Sequence, residues 1–379
     1  MKSIGMLCAV LHFTKAARRA RSKGDTVTTM FACCMGLTNS ARLHFKMEIV
    51  WTTKNWLIMR IHSIDLPVVS AEAAANSYDH YLASTTIDRL SLALKRVEAF
   101  GHHADLAESG ASLARDLVID ALERRVALSL VRIGDGEGNI LSAFDPRFQD
   151  ARDHSTREIL SMMFATSGFS TTEILRMRLD MIEALVNADI LGVSDWVRVG
   201  RLETLRQSPD GRSDVRGYMG SYESILQVDK VLRASQPRRR LIVSNHIHRY
   251  LLDFYASIAS RADEVLLIGP YDLSSALQQR FGAQKVRTLT IPNQASSTPG
   301  EGAKWFPDAY DRLLANIKVG PGVLTLVAAG LLGKALCRHA QLKGAVALDI
   351  GSVIDVWRGK AVRNYHLPAF VDRFRIADS

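Results

Sequence analysis

The chain has 379 residues, 47% hydrophobic and 23% charged, which suits a globular protein of one large domain or two smaller ones. Its net charge is +9, but residues 1–60 hold ten Lys and Arg against two acids, so the rest of the chain is close to neutral and a broad basic surface for nucleic acid is excluded. Cys8, Cys33 and Cys34 lie in the same basic stretch, and a single body cysteine, Cys337, permits neither an internal disulfide framework nor paired zinc spacing.

Cys337 falls in an apolar helical pattern and is expected to pack. The usage as a whole fits a reducing, cytoplasmic compartment. No apolar run reaches the roughly 20 residues that span a bilayer. The longest, Val323–Leu336, is interrupted by Gly330, Gly333 and Lys334. Any membrane association is therefore expected to be peripheral.

Residues 1–60 are basic and have no clean helical or strand period. Their Arg-rich, acid-poor start resembles a transit peptide. The reading adopted is an upstream leader, disordered or outside the fold, with synthesis beginning near Met59. Residues 61–125 read as a helical extension. Ser63–Ser77, small-residue rich with Pro67, reads as a linker. Apolar residues at helical spacing then predict helices over Thr86–Ala99 and Ala104–Glu123, the second through Leu106, Leu113, Leu117, Val118 and Leu122.

From residue 126 to 379 the rhythm changes. Seven short apolar runs (Leu128–Ile133, Ile190–Val193, Leu241–Val243, Val265–Ile268, Val286–Ile291, Val323–Val327 and Val346–Ile350) alternate with helical segments. Near-continuous apolar strands are buried on both faces, and strands alternating with helices predict an α/β Rossmann-like, mainly parallel sheet with helices on both faces. Ligands in such sheets bind beyond the carboxyl ends of the strands. The residues that follow each run are therefore the candidates.

The first run leads into Gly134-Asp135-Gly136-Glu137-Gly138. If strand geometry persists into this turn, Asp135 and Glu137 point the same way and converge on one cation. Carboxylates plus substrate phosphates are the usual Mg2+ or Mn2+ arrangement. Gly134 and Gly136 would let a ligand approach the backbone, and Arg132 would reach a phosphate. The alternative is an acidic turn capping the next helix.

The second run ends in Ser194-Asp195-Trp196. Asp195 is placed for a catalytic base or a sugar contact, or for capping. The third ends in Ser244-Asn245-His246-Ile247-His248, where His246 is an acid/base candidate and no third ligand supports zinc. Gly269-Pro270-Tyr271-Asp272 and Pro292-Asn293-Gln294 follow the next two runs, the latter opening a long polar loop. Gly330 and Lys334 lie in a small-residue turn that opens a helix, suited to an anion but without Walker A spacing. Asp349 and Gly351 close the last run, before Asp355-Val356-Trp357. Asp349 is a candidate for holding a ribose or a metal-bound water.

Taken together, RIGDGEGNIL, AAGLLGKAL and ALDIGSVIDVW resemble the GT-D-type glycosyltransferases, over roughly Leu128 to Trp357. The resemblance implies a Rossmann-like catalytic domain that transfers a sugar from a UDP-sugar to a glycan acceptor. It also implies a divalent ion, Mn2+ or Mg2+, on a DxE motif that falls on Asp135 and Glu137, with Arg132 before it and the DIG turn on Asp349 and Gly351. It supplies no motif for the catalytic base; Asp195 and His246 are candidates on position alone. Two other readings stand beside it. The glycine turns imitate an S-adenosylmethionine site, which would make the chain a methyltransferase, and the fold is equally compatible with a non-catalytic nucleotide-sugar-binding protein.

Overall fold

The computed structural model describes residues 28–34, 44–51, 57–61, 68–104, 107–207, 215–294, 302–363 and 366–377. Three strands lie in the basic N-terminal stretch: β1 (Thr28–Cys34), β2 (His44–Trp51) and β3 (Leu57–Ile61). They pair antiparallel in that order and belong to a unit distinct from the one that carries the main sheet.

All seven apolar runs form strands: β5 (Leu128–Arg132), β6 (Ile190–Val193), β7 (Leu241–Ser244), β8 (Glu264–Gly269), β9 (Val286–Thr290), β10 (Val323–Val327) and β11 (Val346–Asp349). An eighth, β4 (His102–His103), joins the edge beside β7. Two residues carry no period, so this strand leaves no sequence signal. The spatial order is β4-β7-β6-β5-β11-β10-β8-β9, and every pairing is parallel. Central strands such as β6 and β11 are buried along their whole length, whereas the edge strand β9 is only half-buried. The parallel α/β architecture read from the sequence is therefore the one observed.

Two apolar layers sandwich the sheet. Val131 and Ile133 of the β5 segment join one layer, with the helices Asp135–Ser142, Val215–Ala234 and Gly333–Leu342. Leu128 and Leu130 join the other, with the helices Ala107–Glu123 and Val353–Trp357. The helix after β5 thus packs on one face and the helix after β11 on the opposite face. The adjacent carboxyl ends of β5 and β11 form a topological switch point, where a parallel sheet opens a crevice.

The stretch read as a linker is in part a helix, Ala71–Ser84. Ser70 caps it by accepting the Ala73 N–H at 3.2 Å, and alanine is the best helix former, so the small residues that suggested a linker favour a helix. Tyr78 and Tyr81 from this helix are buried against Tyr218 and Tyr222. Beneath them Arg152 pairs with Glu223 at 2.9 Å, both side chains almost wholly buried. Between β7 and β8 the helical segment is split into Ile247–Tyr250 and Tyr255–Ala259. No helix among the described residues is long and apolar enough to cross a membrane.

Candidate active site at the carboxyl ends of the strands

The strand does not persist through the glycine turn. Backbone turns helical at Asp135, so Asp135 and Glu137 occupy the first turn of the helix Asp135–Ser142. Helical residues two apart project about 200° apart, so the two carboxylates do not converge as expected. Asp135 has a side chain 43% exposed, and its Oδ2 lies 3.3 Å from Arg216. Glu137 is buried. Its Oε2 accepts the Gly134 N–H at 2.8 Å and its Oε1 lies 2.5 Å from Lys334 Nζ. Both acids sit where a helix dipole favours negative charge.

Most of the glycines in this turn serve packing rather than ligand approach. A Cβ on Gly138 would lie 1.9 Å from the Gly220 carbonyl oxygen, so the two glycines let the helix Asp135–Ser142 cross Val215–Ala234 in backbone contact. A Cβ on Gly136 would press on Leu331 and Ile159.

At the switch point β5 and β11 are joined by charge. Arg132 Nε donates to the Asp349 carbonyl at 3.0 Å, and its NH2 group lies 3.0 Å from Asp349 Oδ1. Lys334 Nζ lies 3.2 Å from Asp349 Oδ2 and donates to the Gly330 carbonyl at 3.0 Å. Burial works against every one of these charges. Asp349, with Glu137, nevertheless holds Arg132 and Lys334 above their ordinary pKa, and the two cations hold the Asp349 carboxyl below its own. Each charge is thus compensated within the cluster. Asp349 is 1% exposed: its Oδ1 is held by Arg132, and its Oδ2 is buried in the ion pair with Lys334 without a hydrogen bond of its own. Gly351 has φ +48°, and a Cβ there would overlap the Arg132 guanidinium. Glycine is needed at this position on both counts.

The ends of β6 and β7 meet on the other side of Arg132. Arg132 donates to the Asn245 carbonyl at 3.1 Å and lies 2.8 Å from His248 Nδ1. Burial, reinforced by Arg132, pushes the His248 pKa well down, so its ring is a neutral acceptor for the guanidinium. Burial and Arg249 push His246 down to about 4. Asp195 caps the helix Trp196–Gln207: its Oδ1 accepts the Arg198 N–H at 3.0 Å and its Oδ2 accepts the Ser244 hydroxyl at 2.7 Å. Trp196 is 41% exposed on the same rim.

A cleft open to solvent lies beyond β8, β9, β10 and β11. Its walls include Met163, Trp305 and Ile291, and its floor is the Gly330 and Gly351 turns. Neither Asp195 nor His246 lines it. Gly330 has φ +53°, and a Cβ there would meet the Gln294 amide. The polar lining comes from Asn293, Gln294, Ser352, Asp355 and Arg363. Arg363 donates to Gln294 Oε1 at 3.3 Å.

Asp355 is 6% exposed and receives the Tyr271 hydroxyl at 3.3 Å. Burial raises its pKa to about 6, against the pull of Arg363, Tyr271 and Lys360. The sequence placed Gln294 and Asp355 after strand ends without singling them out, and it gave no signal for Arg363. Asp355 follows Asp349 by six residues and lies within the one-turn helix Val353–Trp357, on the side that lines the cleft.

Among the described residues no group of three or more His, Cys, Asp or Glu side chains is placed to hold a metal. The acids of the DxE stretch do not form a cage together, since Lys334 and the Gly134 N–H occupy Glu137. Asp135, with its exposed side chain, does fit the other common arrangement: one carboxylate sharing an ion with substrate phosphates.

No protein-family model matches the chain, and no curated protein matches it. Two solved structures are similar to it. One is a selenomethionine-substituted structure of domain of unknown function 1792, at TM-score 0.41 and 15% identity, covering 78% of this chain and 95% of that one. The other is described as showing that the highly conserved domain of unknown function 1792 has a distinct glycosyltransferase fold. It matches at TM-score 0.38 and 17% identity, over 69% of this chain and 82% of that one.

Proposed function

We propose that the protein is a glycosyltransferase that moves a sugar from a nucleotide-sugar donor, a UDP-sugar, to a hydroxyl of a glycan acceptor. The observation that carries this reading is the position of the cleft. It opens at the carboxyl ends of four parallel strands, against the switch-point turns that the motif resemblance assigns to the donor. Its lining combines apolar walls, amides, one guanidinium and one carboxylate, a mixture that offers contacts to both the diphosphate and the hydroxyls of a nucleotide sugar.

Arg363, which faces the cleft beside Gln294, pairs with a diphosphate oxygen. Arg132 and Lys334 fix the Gly351 and Gly330 turns from beneath. Asp135 is the carboxylate that would hold a divalent ion carried in with the donor. Such an ion neutralises the charge that gathers on the departing diphosphate. Glu137 shapes the turn by closing its first hydrogen bond and anchoring Lys334.

The test is a screen of nucleotide sugars for stabilisation of the purified protein, with and without Mn2+. A ligand at a hundredfold excess over its dissociation constant adds about 2.7 kcal/mol. Stabilisation by UDP-sugars, with loss of the Mn2+ increment in Asp135→Asn at unchanged basal melting temperature, is the expected result. Tight binding of S-adenosylmethionine and indifference to every nucleotide sugar would replace this reading with the methyltransferase. Donor binding with no transfer or hydrolysis would leave a non-catalytic binding protein.

A further inference from the structure

Glycosyl transfer to a hydroxyl needs a group that accepts the hydroxyl proton as the new bond forms. Among the described residues that line the cleft, two are charged, Asp355 and Arg363, and a guanidinium does not act as a base. The other carboxylates near the strand ends lie outside this lining: Glu137 and Asp349 pair with Lys334 and Arg132, Asp272 accepts from Ser274 and Thr288, both oxygens of Asp195 serve its helix cap and Ser244, and Asp135 is the one assigned above to the ion.

We propose that Asp355 is the catalytic base that takes the proton of the acceptor hydroxyl, an assignment that rests on reading the cleft as the transfer site. The hydrogen bonds around it fix which oxygen is available. The Tyr271 hydroxyl accepts from Asn293 Nδ2 at 3.1 Å and from Lys360 Nζ at 3.3 Å. Its one hydrogen is therefore directed to Asp355 Oδ1, 3.3 Å away. Lys360 also stacks over the Tyr271 ring at 4.7 Å, which holds the phenol in place. Oδ2 has no partner among the described residues and is left for the acceptor.

The step balances as a single displacement. The acceptor O–H proton moves to Asp355 Oδ2, the acceptor oxygen bonds to the sugar anomeric carbon, and the bond from that carbon to the donor phosphate breaks. The electron pair leaves with the diphosphate. The sugar inverts its anomeric configuration.

Burial has already lifted this carboxyl to about 6, near the optimum for a base working at neutral pH. The charged and titratable groups facing it are Tyr271 from the loop after β8, and Lys360 and Arg363 from the segment after the helix Val353–Trp357.

The experiment compares wild type, Asp355→Asn and Tyr271→Phe with a UDP-sugar that the wild type accepts. Donor binding is read by titration calorimetry, transfer by product formation, and anomeric configuration by NMR. Asp355→Asn should bind donor within threefold of wild type and lose transfer by about 10²-fold or more. Wild-type kcat/KM should rise through an acid limb near pH 6. Tyr271→Phe should lose less transfer than Asp355→Asn and move that limb upward, because the carboxylate loses a hydrogen-bond donor. Transfer by Asp355→Asn within threefold of wild type, a retained configuration, or an acid limb unmoved in Tyr271→Phe would each overturn the assignment. A wild type that binds no nucleotide sugar overturns both this assignment and the function beneath it. A wild type that transfers alongside an equally active Asp355→Asn overturns the base alone.

Discussion

Replacing Lys334 with Met tests whether the switch point is held by charge. Lys334 is buried, and its ammonium reaches Glu137 at 2.5 Å, Asp349 at 3.2 Å and the Gly330 carbonyl at 3.0 Å. Methionine is close in volume, so little cavity is left. What changes is that two buried carboxylates then face Arg132 alone. Removing one partner of a buried pair costs about 3–5 kcal/mol, because the remaining charge stays desolvated.

The cost should depend on pH in a definite sense. The Asp349 pKa is lowered in the folded protein, so its contribution is present above its ordinary value and lost as pH falls through the lowered one. Arg132 is the larger cause of that lowering and remains, but without Lys334 part of it is removed, and protonation partly relieves the variant. Its deficit should therefore be largest at neutral pH and shrink toward pH 4. Lys334 itself, raised in pKa, gives its full contribution below about 10.4. The deficit should stay flat between pH 7 and 9.

Urea titrations followed by far-UV circular dichroism at pH 4.5, 7 and 8.5 measure it. The double variant Lys334→Met with Glu137→Gln should recover part of the loss. A deficit below about 1 kcal/mol, or one independent of pH, would mean the cluster is hydrated, and the reasoning from buried charge would fail.

Three further outcomes follow from the same geometry. Gly138→Ala should lower stability by about 1–3 kcal/mol or more, read as a fall in melting temperature, because a Cβ would sit 1.9 Å from the Gly220 carbonyl. Asp195→Ala should cost about 1 kcal/mol through loss of the helix cap, whatever its effect on activity. Asp355→Asn should raise stability at pH 8 and leave it unchanged near pH 3. The folded pKa, lifted from 3.8 to about 6, makes ionisation of the wild type cost up to about 3 kcal/mol above that range. Denaturant midpoints across pH check the last two.

The seven apolar runs were legible because a strand buried on both faces must be apolar at nearly every position, and that is a local property. The strand ends, and with them Arg132, Asp195, His246, Gly330 and Asp349, followed from the same pattern. Gly351 shows how far such reading reaches: its place in a turn was plain, but its need to be glycine depends on Arg132, which lies far away in the sequence and beside it in the sheet. The helix Ala71–Ser84 was misread because alanine and serine are common to linkers and helices. What distinguishes them here is burial of Tyr78 and Tyr81 against a distant helix.

Local pattern thus determined the parallel sheet and the set of loops at the carboxyl ends of its strands. Only the tertiary structure decided which residues in those loops face one another. Arg132 and Asp349 meet across 217 residues of chain, Lys334 turns to Glu137, and Asp355 rather than Asp349 looks into the cleft. Hydrophobic periodicity is written residue by residue, whereas a buried charge takes its meaning from the partner that compensates it. That partner is set by strand order, which no single stretch of sequence contains.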